Sequence, residues 1–374
     1  LNTHFIPFEL EAWQSRYEQT VAFNLADSGV RPLTARALLD NDDLQRFLDL
    51  DIHYPEVNGT RSLREQIAAL DPAVHPDQVL VTVGAAEANQ LACQTLLQPG
   101  DEVVVMEPGY RQVWGLAQNL GCSVQSFQLR AENGWRVDLD ELAAKVSKHT
   151  RLIALVNPNN PTGSILSRAE MAAIVEIAER SGAWLLADEV YRGTERLSDT
   201  ETPTFWGMSD RVITVNSLSK AYGLSGLRLG WVIAPLPLSA ALWRRHEYAT
   251  IASSAHAMFL AELALRAPTR QQLLARQRQL IRDGWQQIES WVASNCDLVS
   301  VVPAQATALA FVRYELPLPS VAVAEHIRQT TSVLVAPGAT LGSEQHLRIT
   351  HGLAVEYVAT ALTRIADALR SLKP

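Results

Sequence analysis

Between residues 62 and 231, short apolar runs alternate with stretches whose apolar residues recur at helical spacing. Residues 79–83, 103–106, 152–156, 184–187 and 211–215 are strand-like, while 87–97, 111–120 and 168–181 carry helical periodicity. That alternation predicts an α/β fold: a mostly parallel sheet with helices on both faces. Residues 1–40 mix aromatic, acidic and turn residues without a long clean period, which predicts an arm with one short helix. Residues 270–292 read as a long polar-rich helix suited to linking two lobes. Strands at 298–302 and 308–314, with helices at 320–329 and 355–369, predict a smaller α+β lobe. No internal repeat or low-complexity segment breaks the pattern.

Composition narrows the class of protein. The chain has 374 residues, 47% hydrophobic and 19% charged, as expected of an ordinary globular protein long enough for two domains. A net charge of −8, with no long Lys/Arg cluster, argues against a nucleic-acid surface but permits a local cationic pocket. Cys93, Cys122 and Cys296 are odd in number and far apart, and fit neither zinc spacing nor a disulfide framework; no metal is expected. The first residues lack the regions of a secretory signal, and no uncharged run approaches the ~20 residues of a membrane span. The expectation is a cytoplasmic protein without membrane contact.

The run Ser217-Leu-Ser-Lys-Ala-Tyr-Gly-Leu-Ser-Gly-Leu-Arg-Leu-Gly-Trp231 carries the chemistry. It follows a buried strand and offers a lysine, Lys220, able to lose its solvation and supply a neutral amine for an aldehyde. Ser217, Ser219 and Arg228 flank it with groups that suit a phosphate. Amine plus phosphate grip points to pyridoxal phosphate. Further features fall in order along the chain. Tyr54 and Gly59 precede a helix. Thr82-Val-Gly-Ala-Ala-Glu87 opens a helix with residues small enough for backbone N–H groups to approach a phosphate. Asn157-Pro-Asn-Asn-Pro-Thr-Gly163 is a rigid turn after a strand, Asp188 ends the next strand, and Arg348 lies on a late strand. Singly, each has a plainer reading: Asp188 as a helix cap, Tyr54 as packing, Gly84 to Ala86 as close helix–sheet contact, Arg348 in a surface ion pair. Together, a strand-end Asp, a strand-end Lys and a helix-opening turn of small residues supply a pyridinium partner, a Schiff-base amine and a phosphate cup.

From about Asn24 to its C-terminus the chain resembles the fold-type I pyridoxal phosphate enzymes, in the class I/II aminotransferase group related to aspartate aminotransferase. The resemblance implies Lys220 as the Schiff-base lysine and Asp188 as partner of the pyridine nitrogen. It implies Asn160 and Tyr191 at the ring hydroxyl, Tyr110 stacked on the ring, and Ala85, Ala86, Ser217, Ser219 and Arg228 around the phosphate. Tyr54 would reach the neighbouring subunit's phosphate, implying a homodimer with shared active sites. Arg348 would pair with the substrate α-carboxylate, with Asn160 and the Ser28-Gly29 turn lining the same site. The implied division is residues 1–44 as an arm belonging to the small domain, 45–270 as the large cofactor-binding domain, and 271–374 as the linking helix and C-terminal small domain. Both termini would then build the small domain.

The implied reaction is transamination between an L-amino acid and a 2-oxo acid. The segment Ala26-Asp-Ser-Gly-Val30 departs from the Gly-x-Pro-Asp-like segment of many relatives and is weakly similar to the capreomycidine synthase branch. The same residues would then serve β-elimination, replacement with cyclisation, or oxidation. A non-enzymatic effector-binding domain would require a DNA-binding module, and neither a helix-turn-helix region nor a basic face is evident. No P-loop motif occurs. Asp27, with Glu9, Glu11 and Glu18 in the arm, is expected to make one end of the site acidic and to favour cationic side chains. The alternative places Asp27 as a turn cap and the glutamates in solvent.

Overall fold

The computed structural model describes residues 5–373. The first four residues of the expected arm and Pro374 lie outside the described residues. The central sheet has eight strands, in the order Val79–Thr82, Gly230–Ile233, Val212–Ser217, Trp184–Asp188, Thr150–Val156, Glu102–Glu107, Ser123–Arg130 and Arg136–Val137. Val212–Ser217 through Ser123–Arg130 run parallel. Gly230–Ile233 is antiparallel to both its neighbours, and Arg136–Val137 is antiparallel at the far edge.

The inner strands read as unbroken apolar runs because both of their faces are covered. Side chains alternate between faces: Val104, Ile153 and Leu185 join helix Arg168–Ser181 in one core, and Val103, Leu152 and Leu186 join helix Gly84–Leu96 in another. Helix Arg168–Ser181 has the limits expected of it because its ends are chemically marked. Ser167 and Glu170 form a capping box, and Gly182 closes the helix in the left-handed conformation.

A four-stranded antiparallel sheet, Val299–Val301, Leu309–Tyr314, His346–Thr350 and Ala336–Pro337, forms the smaller layer. Near the N-terminus, Phe23–Asn24 pairs in parallel with Val333–Leu334, so both ends of the chain meet there. Helix Ala267–Ser294 links the two sheets over 28 residues, about 42 Å of helix. Among the described residues no helix is long and apolar enough to cross a membrane.

Some elements escape the periodicity. Helix Gly84–Leu96 begins three residues before its apolar repeat, because Ala85 and Ala86 contribute little hydrophobic signal. Ser123–Arg130 alternates with polar residues and is half exposed, and Gly230–Ile233 hides within the glycine-rich run after Lys220. Neither strand is predicted, nor are helices Leu236–Ala249 and Ala255–Leu265.

His351 sits where the linking helix meets the small sheet. Its ring lies 5.7 Å from Trp285, and Gly284 leaves room for its backbone, since a side chain there would overlap the His351 carbonyl. Among the described residues neither ring nitrogen makes a well-formed hydrogen bond, and burial, opposed only by the nearby Leu309 main chain, pushes the imidazole down from 6.5 to about 3. The unfolded chain takes up this proton below pH 6.5, whereas the folded protein resists it down to about pH 3. The stabilisation is therefore complete above that window and is lost as pH falls through it. Urea unfolding at about pH 7.5 and about pH 5 should show a smaller acid loss in His351→Leu than in the parent. Equal losses would place the acid sensitivity elsewhere.

Candidate active site

The parallel strands bring their carboxyl ends to one edge of the sheet, the usual ligand side of an α/β fold. Trp184–Asp188 ends on buried Asp188, Val212–Ser217 leads directly to Ser219 and Lys220, and Thr150–Val156 leads to the Asn160 turn. Across from them, helix Gly84–Leu96 opens at Ala85 and Ala86, presenting the positive end of its dipole. The cavity between them measures about 530 Å³. Ala85, Ala86, Tyr110, Asn160, Asp188, Tyr191, Ser217, Ser219, Lys220 and Arg228 line it together, with Ser28 at the N-terminal side.

Asp188 Oδ1 accepts from the Val190 N–H at 3.2 Å, and Oδ2 accepts from Asn89 Nδ2 at 3.0 Å. Burial pushes its carboxyl up, and these two donors push it back toward the ionised form. Lys220 is half-buried, and its Nζ donates to Ser28 Oγ at 2.7 Å. Loss of water lowers the affinity of this amine for its proton, Asp27 and Glu11 oppose the shift, and Arg348 and Arg228 add to it. The sequence gives no direct sign of the Ser28–Lys220 contact, which closes across 192 positions.

Arg228 adopts φ 48, an unusual conformation for a residue with a side chain. Its guanidinium packs over Gly84, where an added Cβ would lie 2.5 Å from Nη2. Glycine there permits both the helix-opening turn, at φ +77, and the approach of this cation. Ser219 N–H donates to Ser217 Oγ at 3.2 Å in the loop that carries Lys220.

Three expected site residues lie elsewhere. Arg348 is fully buried behind the cavity wall, donating through Nη1 to Asn160 Oδ1 at 3.1 Å and through Nη2 to the Ala26 carbonyl. Among the described residues its Nε has no partner. Gly29 is buried too, its carbonyl accepting from Thr350 Oγ1 at 3.0 Å; Ser28 alone of that pair faces the cavity. Tyr54 is 81% exposed and lines no part of its own chain's cavity.

The arm supplies residues at the mouth. Glu11, Gln14, Ser15 and Glu18 from helix Glu9–Tyr17 and its end line the cavity beside Asp27, whereas Glu9 is exposed away from it. The acidic end thus contains Glu11, Glu18 and Asp27 but not Glu9, because a helix turns alternate residues to different faces. Glu11 accepts from the Tyr110 hydroxyl at 2.8 Å. Asp27 also caps its own turn, Oδ1 accepting from the N–H groups of Ser28 and Gly29 at 2.5 and 3.2 Å.

An amine, a buried carboxylate that among the described residues accepts from no guanidinium or ammonium, and a helix terminus beside an arginine together fit pyridoxal phosphate. A cationic ring fits the carboxylate and a phosphate fits the opposite end. The family model for aminotransferases of class I and II matches residues 36–365, and the chain belongs to that family; its cofactor is pyridoxal phosphate. It is 37% identical to an arginine–pyruvate transaminase of Pseudomonas aeruginosa over 61% of this chain and 60% of that protein. It is 30% identical to capreomycidine synthase of Streptomyces vinaceus over 91% of this chain and 88% of that one. A PLP-dependent aminotransferase structure from Streptococcus suis superposes with a TM-score of 0.92 at 29% identity, covering 99% of both chains. Aspartate aminotransferase from Thermus thermophilus shares the fold, with a TM-score of 0.87 at 21% identity over 98% of this chain and 97% of that one.

Proposed function

We propose that the chain transfers the α-amino group of an L-amino acid to a 2-oxo acid, with Lys220 holding the cofactor covalently. The observation that carries this reading is the Lys220 amine itself. Burial lowers its hold on its proton, Ser28 anchors it, and it shares one cavity with the Asp188 carboxylate.

Bound pyridoxal phosphate supplies an aldehyde for amines and an electron sink for the charge released when a substrate Cα–H breaks. Asp188, whose two donors oppose the upward push of burial, would in its ionised form favour a protonated ring nitrogen through charge pairing. Lys220, as a neutral amine, would take the substrate Cα proton as base and return it as acid. Asn160 and Tyr191 would hold the ring hydroxyl, and Tyr110 would cover the ring. Ala85, Ala86, Ser217, Ser219 and Arg228 hold the phosphate. Arg348 receives the α-carboxylate. Its unpartnered Nε supports that role, while its full burial requires the Ala26–Ser28 segment or Asn160 to give way as substrate enters.

The exposure of Tyr54 supports its placement in a partner's site and hence a homodimer. Pairing of Phe23–Asn24 with Val333–Leu334 supports the division into an arm at 1–44, a large domain at 45–270 and a small domain completed by 271–374.

The donor we infer is an amino acid with a cationic side chain. Glu11, Glu18 and Asp27 gather at the mouth, and a charge-assisted hydrogen bond there is worth ~1.5–3 kcal/mol. The name of the arginine–pyruvate transaminase agrees with that choice. The likeness to capreomycidine synthase supports a competing outcome, replacement with cyclisation, on the same residues.

Borohydride reduction and peptide mapping should find the pyridoxyl group on Lys220; a label on another lysine ends the assignment. Lys220→Ala should still bind cofactor yet lose at least about 10²–10⁴-fold in turnover. With arginine as donor, an oxo acid and the pyridoxamine form of the cofactor should appear. Release of ammonia or peroxide instead would favour the competing chemistry.

For specificity, kcat/KM for arginine should exceed those for alanine, phenylalanine and glutamate. Glu18→Gln and Asp27→Asn should each lower the arginine value about tenfold or more while sparing alanine. Unchanged ratios would refute the acidic wall.

A further inference from the structure

The same helix that opens at Ala85 and Ala86 presents Asn89 one turn later, on the face it shares with Ala85. Asn89 is 2% exposed, and its Nδ2 donates both to Asp188 Oδ2 at 3.0 Å and to Gln112 Oε1 at 3.2 Å. Gln112 begins helix Gln112–Asn119, two residues after Tyr110, and its Nε2 donates to the Ala86 carbonyl at 2.8 Å. Two neutral amides thus join the carboxylate end of the cavity to the main chain of the helix-opening turn. An ionised carboxylate only accepts, so the Asn89 group facing it must be its amide nitrogen.

We propose that Asn89 is a positioning residue that, with Gln112, holds the Asp188 carboxylate toward the ring nitrogen of pyridoxal phosphate and in register with the phosphate cup. This rests on the reading of Asp188 as partner of that nitrogen. An arginine in place of Asn89 would neutralise Asp188 with its own charge. A leucine would leave Oδ2 without its side-chain donor. A neutral donor orients the carboxylate and leaves its charge for the ring. The other polar groups around Asp188 are the Val190 N–H, which already holds Oδ1, Lys220 from the loop after Val212–Ser217, and the buried Tyr191 hydroxyl, which donates to the Ser28 carbonyl at 3.3 Å. Among these, Asn89 alone donates a side-chain hydrogen bond to the carboxylate.

The test is a double-mutant cycle on the full-length protein, read by cofactor dissociation constant and by the pH midpoint of the lysine-bound cofactor's visible absorbance. Asn89→Leu should weaken cofactor binding about tenfold or more. It should also raise the midpoint by on the order of one unit, because a ring that loses its positive charge lets the neighbouring nitrogen keep its proton to higher pH. In an Asp188→Asn background the same substitution should change neither quantity. Equal effects of Asn89→Leu in both backgrounds would mean a packing role and overturn the proposal, as would no effect in either. If Asp188→Asn by itself leaves binding and midpoint unchanged, the reading of Asp188 fails rather than the role of Asn89 alone. Should Asn89→Leu not fold, Gln112→Leu, on the less buried side of the relay, should shift both readouts in the same directions by smaller amounts. No shift from it would count against the relay.

Discussion

A buried guanidinium whose hydrogen bonds, among the described residues, go to an amide oxygen and a main-chain carbonyl ties three segments of this chain together. Arg348 comes from the last strand of the small sheet, donates to Asn160 in the turn after a central strand, and donates again to the Ala26 carbonyl of the N-terminal segment. Burying such a cation costs several kcal/mol unless polar atoms replace its water. The cost is tolerable only when all three segments have arrived, so this arginine couples completion of the fold to completion of the cavity. Its unused Nε keeps one strong donor in reserve. A ligand carboxylate is the partner that would satisfy both that donor and the charge.

Asp188 and Lys220, both lining the cavity, are displaced toward neutrality by the same loss of water, Asp188 upward and Lys220 downward. What differs is their surroundings. Asp188 receives two donors that favour its charge, while Lys220 has arginines on one side and the Asp27 and Glu11 carboxylates on the other. The balance gives a single cavity a carboxylate with donors that favour its charge and an amine that burial inclines to give up its proton. Those are the two requirements of chemistry at an aldehyde cofactor.

How much of this was legible in the sequence follows from the range of each signal. Asp188, Lys220 and the Ala85–Ala86 turn were readable because each lies at the end of an element whose apolar period is strong and local. The parallel core was readable for the same reason. Ser123–Arg130 was not, since its polar alternation resembles a surface segment. Asn89 and Gln112 looked like ordinary polar positions of two helices, and only the approach of those helices across 23 positions makes them partners. Glu9 and Glu11 were equivalent on paper. Helical geometry placed one at the cavity and left the other in solvent.

A second buried relay explains how the exposed Tyr54 loop keeps its place relative to the cavity. Glu87, in the first turn of the helix that opens at Ala85, accepts from the Val83 N–H at 2.6 Å and from Thr250 Oγ1 at 2.6 Å. The fully buried His246 lies against the same carboxylate through Nδ1 at 3.0 Å, and its Nε2 faces the Val57 carbonyl at 3.1 Å. These contacts hold the Glu87 carboxyl below its usual range despite burial. Val57 lies three residues after Tyr54, and Gly59, at φ +100, lets the chain fold back against Val81 of the edge strand. The loop is therefore exposed at its tip and anchored at its base to the helix that lines the cavity. An aromatic side chain presented on so firm a base loses little entropy when it docks elsewhere. That would suit the role proposed for Tyr54 in a neighbouring subunit's site.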